Sequence, residues 1–265
     1  MGEAIVITSG KGGVGKTTTS ANLGTALALQ GKKVCLIDTD IGLRNLDVIL
    51  GLENRIIYDL VDVIEGRCKV QQALVKDKRF DDGLFLLPAA QTTDKNAVNP
   101  EQMKTLITEL KRDYDYILID CPAGIEQGFK NAISGADRAI VVTTPEISAV
   151  RDADRIIGLL ENEDIEPPKL IINRIRRHLM NNGDSLDVND ITTHLSIDLL
   201  GIILDDENVI SSSNKGEPVV MDPSNPAAIG YRNIARRILG ESVPLMSVDK
   251  GKTGFFGKLK AIFSR

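Results

Sequence analysis

The stretch "GKGGVGKTT", Gly10 to Thr18, lies between a short apolar run and a helical pattern. Gly10, Gly15, Lys16 and Thr17 fit the spacing G-x-x-x-x-G-K-[ST], in the strand–loop–helix context that gives the spacing its meaning. Glycines at these places let backbone amides turn inward and make a nest for a β-phosphate at a helix N-terminus. The predicted cradle comprises Gly10, Lys11, Gly12, Gly13, Val14, Gly15, Lys16, Thr17 and Thr18. Lys16 supplies a point charge to the β and γ oxygens of a nucleoside triphosphate, and the Thr17 hydroxyl can ligate Mg²⁺. Lys11 is not needed for that cradle. It is either a solvated loop charge or a cation offered across a dimer interface to a partner's nucleotide, in the manner of an arginine finger.

Three carboxylates fall where phosphate chemistry needs them. Asp38 and Asp40 sit just past the run "VCLID", where a carboxylate can hold or polarise a water that attacks a γ-phosphate. Asp120 ends "YILID", a hydrophobic strand closed by an acid, and is expected to reach Mg²⁺ through a water. The "CPAG" that follows is expected to be a nucleotide-sensing switch, with Gly124 offering an unobstructed amide.

The elements that position these groups are legible as short apolar runs at 4–9, 34–38, 84–88, 116–120, 139–144, 169–173 and 200–204. Each is almost continuously apolar, as strands are when helices cover both faces of a parallel sheet. Helix signals fill the gaps: Asn99 with Pro100, then Asn225 with Pro226, place a capping residue before a proline at the first helical position. The second of these helical patterns stops at Gly240. The alternation predicts an α/β fold, a doubly wound and mostly parallel sheet of the P-loop NTPase type, with its active edge at the carboxyl ends of the strands. Residues 1–240 are expected to form that domain, and 241–253, without helical period, a flexible linker.

Composition narrows the class. No apolar run approaches the ~18 residues of a membrane span, and the strand-like run from Ala4 leads us to expect no signal or transit peptide. Cys35, Cys68 and Cys121 form no C-x-x-C pair, and His178 and His194 are too far apart for one metal face; all five read as structural, in a reducing cytoplasm. The net charge is −5, but residues 249–265 hold five basic side chains against one acidic, leaving the body at −9. An acidic body argues against a nucleic-acid surface, so no specific nucleic acid is expected.

The basic tail is itself patterned. On a helical wheel of ~100° per residue, Phe255, Phe256, Leu259, Ile262 and Phe263 share an arc of ~120°. Lys258 and Lys260 fall ~40° beyond either edge, where their stems can snorkel. Residues 254–265 are too short to span a bilayer and suited to lying in an anionic membrane surface.

The segment "KGGVGKT" resembles the deviant Walker A motif of the MinD/ParA family of ATPases, and "LIDTDIGLRNLDVILG" (36–51), "ILIDCPAG" (117–124), "VRDADRIIGLL" (150–160), "LIINR" (170–174) and "SNKGEPVV" (213–220) carry the likeness through nearly the whole chain. The resemblance implies that Asp40 activates the attacking water and that Asp38 lies near the metal. It implies that Asn173 reads adenine, which a side-chain amide can do with one donor and one acceptor. It puts Arg151 and Asp152 on a partner-binding face, where local capping or a solvated salt bridge accounts for them nearly as well. It further implies ATP-dependent homodimers, a C-terminal membrane-targeting helix, and septum placement with a MinC-like inhibitor of the FtsZ ring and a MinE-like or other topological regulator. Flagellar-number and DNA-segregation ATPases of the same superfamily are the alternatives, the second disfavoured by the acidic body.

Overall fold

Strands buried on both faces need helices on both sides, and the computed structural model, which describes residues 1–92 and 97–246, has that arrangement. Eight strands form one sheet in the order β3-β4-β2-β5-β1-β6-β7-β8. They are β1 (Glu3–Thr8), β2 (Val34–Asp38), β3 (Val75–Lys76), β4 (Leu84–Leu87), β5 (Tyr116–Asp120), β6 (Arg138–Thr143), β7 (Lys169–Ile175) and β8 (Leu199–Leu204). Seven match the apolar runs of the sequence to within a residue or two at each end. β3 was not among them: two residues long, it pairs antiparallel with β4 and blunts that edge.

The sheet is doubly wound about β1, which pairs parallel with β5 on one side and β6 on the other. Chain direction across the sheet therefore reverses at β1, and the crevice at its carboxyl end is where such folds bind ligands. Alternate residues of each strand feed two cores. Ala4 and Val6 face the layer built on α3 (Leu60–Ile64), α4 (Val70–Ala73), α5 (Pro100–Leu110), α6 (Gln127–Ile133), α7 (Ile147–Leu160), α8 (Arg177–Asn182) and α9 (Val188–Leu195). Ile5 and Ile7 face the layer built on α1 (Lys16–Leu29), α2 (Leu46–Leu50), α10 (Asn208–Asn214) and α11 (Pro226–Ile238).

The two Asn-Pro signals are helix starts. Asn99 accepts from the Gln102 amide and opens α5; Asn225 accepts from the Ala227 and Ala228 amides and opens α11. Gln102 completes the first as a capping box. Past Gly240, residues 241–246 carry no regular element, yet they are tied to the body. The Arg237 guanidinium donates to the carbonyls of Val243 (2.9 Å), Pro244 (2.6 Å) and Leu200 (2.8 Å). The predicted membrane helix, with Phe255, Phe256, Lys258, Leu259, Lys260, Ile262 and Phe263, lies outside the described residues, as does most of the predicted linker. Among the described residues no helix is long and apolar enough to cross a membrane.

Candidate nucleotide-binding site

The turn from β1 into α1 is built on Gly15, at φ 98°, which is the residue before the first helical position. A Cβ there would sit 2.4 Å from the Asn173 amide nitrogen, so glycine is required both for the left-handed backbone and for the close approach. No side chain caps α1 and no acid occupies its first turn, in contrast to the asparagine-capped α5 and α11. Its leading N–H groups are thus left for an anion, aided by the helix dipole.

Lys16 opens α1 and is only 8% exposed. Its ammonium donates to the Ser9 hydroxyl at 2.9 Å, and that hydroxyl in turn donates to the Lys11 carbonyl at 2.8 Å. Lys11 projects the other way. Its ammonium meets Glu146 Oε2 at 3.1 Å and the Ser148 hydroxyl at 2.8 Å, both at the start of α7. Gly10 also abuts α7: a Cβ there would lie 2.0 Å from the Asp152 carbonyl oxygen.

Asp38 and Asp120 end β2 and β5 as register partners, both 1% exposed. Burial and, secondarily, the charge of Asp38 push Asp120 up to about 7, against the opposing pull of hydrogen bonds from Ser20 and Thr17 and of Lys16. Burial pushes Asp38 up to about 6, against three backbone amides. Those amides belong to Asp40, Asn45 and Leu46, at 3.0, 3.2 and 3.2 Å, so Asp38 organises the loop that carries Asp40. Asp40 itself is half-buried at the mouth of a small cavity shared with Ala123 and Glu126.

The residues present fit a divalent cation bound with a polyphosphate. Two buried carboxylates face one buried ammonium, an imbalance that a divalent cation settles. The Thr17 hydroxyl, hydrogen-bonded to Asp120, is the second oxygen ligand at hand. Among the described residues no cluster of three or more acidic, histidine or cysteine side chains could hold a metal. One carboxylate plus a hydroxyl, completed by phosphate oxygens and water, is the Mg²⁺ style of binding.

Asn173, at the end of the apolar part of β7, borders a cleft of about 300 Å³ with Gly15, Thr18, Asp205, Asp206 and Ser213. Its amide nitrogen donates to the Val14 carbonyl at 2.8 Å and its oxygen accepts from the Arg174 amide at 2.9 Å. The side chain thus braces the phosphate loop and retains one N–H and one lone pair for a base. Arg151 is exposed on α7 and borders a second, mostly apolar cleft with Ile147, Val150, Leu186, Ile191 and His194; Asp152 is half-buried.

The structure thus gathers Lys16, Thr17, Asp38, Asp40 and Asp120 at one strand edge with the loop 10–18. Arg151 stands apart on the outer face of α7. Sequence reasoning missed Ser9 and Ser20. The Ser20 hydroxyl lies 2.8 Å from Asp120 Oδ1, and its position one helical turn beyond Thr17 is a signal that could have found it. Glu146 and Ser148 were missed as well. Cys35 and Cys121 are buried and Cys68 half-buried, all three free thiols. Burial holds every one of them above the ordinary thiol range.

A model of the CobQ/CobB/MinD/ParA nucleotide binding domain matches residues 5–219. The septum site-determining protein MinD of Bacillus subtilis (strain 168) is 74% identical over 264 residues, covering 99% of this chain and 98% of that protein. The MinD of Thermotoga maritima is 51% identical, covering 98% and 99%. Among solved structures, the MinC:MinD cell division protein complex of Aquifex aeolicus superposes with a TM-score of 0.87 at 52% identity, covering 92% of this chain and 98% of that one. MinD of Pyrococcus horikoshii OT3, complexed with Mg-ADP, gives 0.81 at 31% identity, covering 90% and 96%.

Proposed function

The chain belongs to the CobQ/CobB/MinD/ParA nucleotide-binding family, in the group of septum site-determining MinD proteins, and from that premise we propose that it hydrolyses ATP as a membrane-bound dimer that helps place the division septum. The observation that carries the reading is the buried Lys16 beside the Thr17–Asp120 hydroxyl–carboxylate pair, at an uncapped helix N-terminus.

The amides of residues 10–18 hold the polyphosphate, and Lys16 leaves Ser9 to contact the β and γ oxygens. Thr17 and Asp120 would hold Mg²⁺, with Asp38 behind them, and the ion would supply positive charge against the phosphates. Asp40 orients a water whose oxygen bonds to the γ-phosphorus as the bond from that phosphorus to the ADP oxygen breaks. Lys11 of each subunit contacts the partner's phosphates. Asn173 reads the adenine edge with its remaining N–H and lone pair. Arg151 and Asp152 present α7 to protein partners. These are an FtsZ-ring inhibitor of the MinC kind, supported by the Aquifex complex, and a topological regulator of the MinE or another kind.

Residues 254–265 lie on the cytoplasmic face of the membrane through Phe255, Phe256, Leu259, Ile262 and Phe263, flanked by Lys258 and Lys260. Support comes from the ~120° apolar arc and from the +4 charge of 249–265 against a body of −9. One such helix binds weakly, since each basic residue near an anionic surface contributes about 1 kcal/mol. Two on one dimer make the second insertion intramolecular, raising avidity ~10²–10⁴-fold. Nucleotide-driven dimerisation therefore switches attachment, and hydrolysis reverses it.

Co-sedimentation with anionic vesicles tests this directly. The full chain should pellet with ATP and stay soluble with ADP, a short DNA duplex should not compete, and a chain lacking 254–265 should bind ATP yet remain soluble. Sedimentation of the truncated chain would move the membrane site elsewhere.

A further inference from the structure

The cleft bordered by Asn173 has an outer wall with little core beneath it. Ile49 of α2 lines that wall, together with Ile210, Ser213 and Asn214 of α10. α10 runs for seven residues and buries none of them fully, with Val209 resting partly on the core. A helix so short is not stable by itself, so contacts at its ends must set its position. At the start, the Asn208 amide donates to Asp206. At the other end stands Arg79, from the turn between β3 and β4 at the edge of the sheet. We infer that Arg79 is a positioning residue for the nucleotide base, bolting α2 to the end of α10 and so fixing the wall against which the base is held. The inference rests on the reading of this cleft as the base site.

The bolt is a fork. Asp77, 1% exposed, accepts from Arg79 Nε at 2.9 Å and from Nη2 at 2.7 Å, which sets the plane of the guanidinium. In that plane Nη1 donates to the Gly216 carbonyl at 2.8 Å, and Nη2 donates to the Leu50 carbonyl. Leu50 ends α2 directly after Ile49, and Gly216 follows Asn214 by two residues. Glycines close the joint. Gly51 and Gly216 have φ of 67° and 69°, and a Cβ on Gly216 would sit 2.5 Å from the Gly51 Cα. Turns that meet backbone to backbone offer carbonyls, and a planar guanidinium can take two at once where an ammonium cannot match the fork. The first amide of α2, at Leu46, donates to Asp38. One short helix is thus pinned to Asp38 at its start and to Arg79 at its end.

A wall already in place adds no ordering cost when the base arrives, whereas a slack wall takes that cost from affinity. The phosphate loop is held separately, by the bonds from Asn173 to Val14 and from Ser9 to Lys11. Loosening the bolt should therefore weaken a ligand that carries a base and spare one that is phosphate alone.

The test measures ADP and inorganic pyrophosphate, each with Mg²⁺, in competition with a fluorescent ADP analogue on the full-length chain. Arg79→Lys is preferred to Arg79→Ala, which would leave Asp77 buried and unpaired. Arg79→Lys should bind ADP about tenfold more weakly than wild type and pyrophosphate within about twofold. Gly216→Ala, which forces the two turns apart without touching the guanidinium, should show the same split, and it carries the test if Arg79→Lys does not fold. A purely stabilising contact would lower the urea midpoint and leave the ratio of the two affinities at the wild-type value; that unchanged ratio would overturn the role of Arg79. The wild type alone judges the underlying reading: ADP bound no more tightly than pyrophosphate would mean that the cleft takes no base.

Discussion

The centre and the rim of the same strand edge are built to opposite rules. At the centre, Lys16, Asp38 and Asp120 are 8%, 1% and 1% exposed, and their partners are other buried groups or backbone amides. At the rim, Lys11, Glu146 and Ser148 contact one another in the open. Desolvated charges act strongly and cannot move without large cost, whereas solvated ones act weakly and exchange partners freely. Chemistry on a phosphate needs the first kind. A change of partner, from one's own chain to another, needs the second.

Substitutions can break this contrast, beginning where the effect is largest. Asp40→Ala, which removes the group proposed to orient the attacking water, should slow ATP-dependent phosphate release by about 10²-fold or more while dimers still form on vesicles. Phosphate release at the wild-type rate would take Asp40 out of the chemistry. Lys16→Ala deletes the buried cation proposed to face phosphate, an expected loss of about 10²–10³-fold in nucleotide affinity, so equilibrium binding and light scattering should both fail.

The carboxylate pair gives a pH test with a definite sign. Both pKa values are raised in the folded state, to about 6 for Asp38 and about 7 for Asp120, so the folded protein holds protons that the unfolded chain releases near pH 4. The stability that these groups contribute is complete below that pH and is lost as pH rises through 6 and 7. Between pH 5 and pH 8 the metal-free protein should accordingly lose about 2–3 kcal/mol of unfolding free energy, read by urea titration, relative to Asp120→Asn. Adding Mg²⁺ with nucleotide at pH 6.5 should release protons into a weakly buffered solution from the wild type and fewer from the variant. The smallest effect lies beyond that rim, on the outer face of α7: Arg151→Ala should change the unfolding free energy by no more than about 0.5 kcal/mol while weakening capture of a MinC-like partner, and an intact pull-down would return Arg151 to the solvated-charge reading.

What the sequence revealed follows the same division. The phosphate loop is a local backbone pattern, so Gly10, Gly15, Lys16 and Thr17 are legible from spacing alone. Asp38 and Asp120 are legible because each closes a hydrophobic strand, and the helix starts because Asn-Pro is a short-range signal. Contacts closed by the fold left fainter traces or none. Ser20 reaches Asp120 and Lys11 reaches Glu146 across separations of 100 and 135 residues. Asn173 shows why a residue type is not a role: its amide is engaged with the Val14 carbonyl before any base is considered. The segment 241–246 reads as linker because its tethers are carbonyls, which every residue has, held by Arg237 from the preceding helix. β3 is too short for periodicity to show.

The pairing of Asp38 with Asp120 has a consequence for how the chain matures. The two carboxylates meet only because β2 and β5, far apart in sequence, align with those residues opposite each other. A slip of one residue in that parallel pair would carry one carboxylate ~3.3 Å along the strand and turn it to the other face of the sheet. Misregistered molecules would therefore lack the juxtaposed carboxylates altogether. A ligand that binds only the aligned form would, at about a hundred times its dissociation constant, stabilise that form by about 2.7 kcal/mol and so favour the one alignment in which the two acids stand side by side.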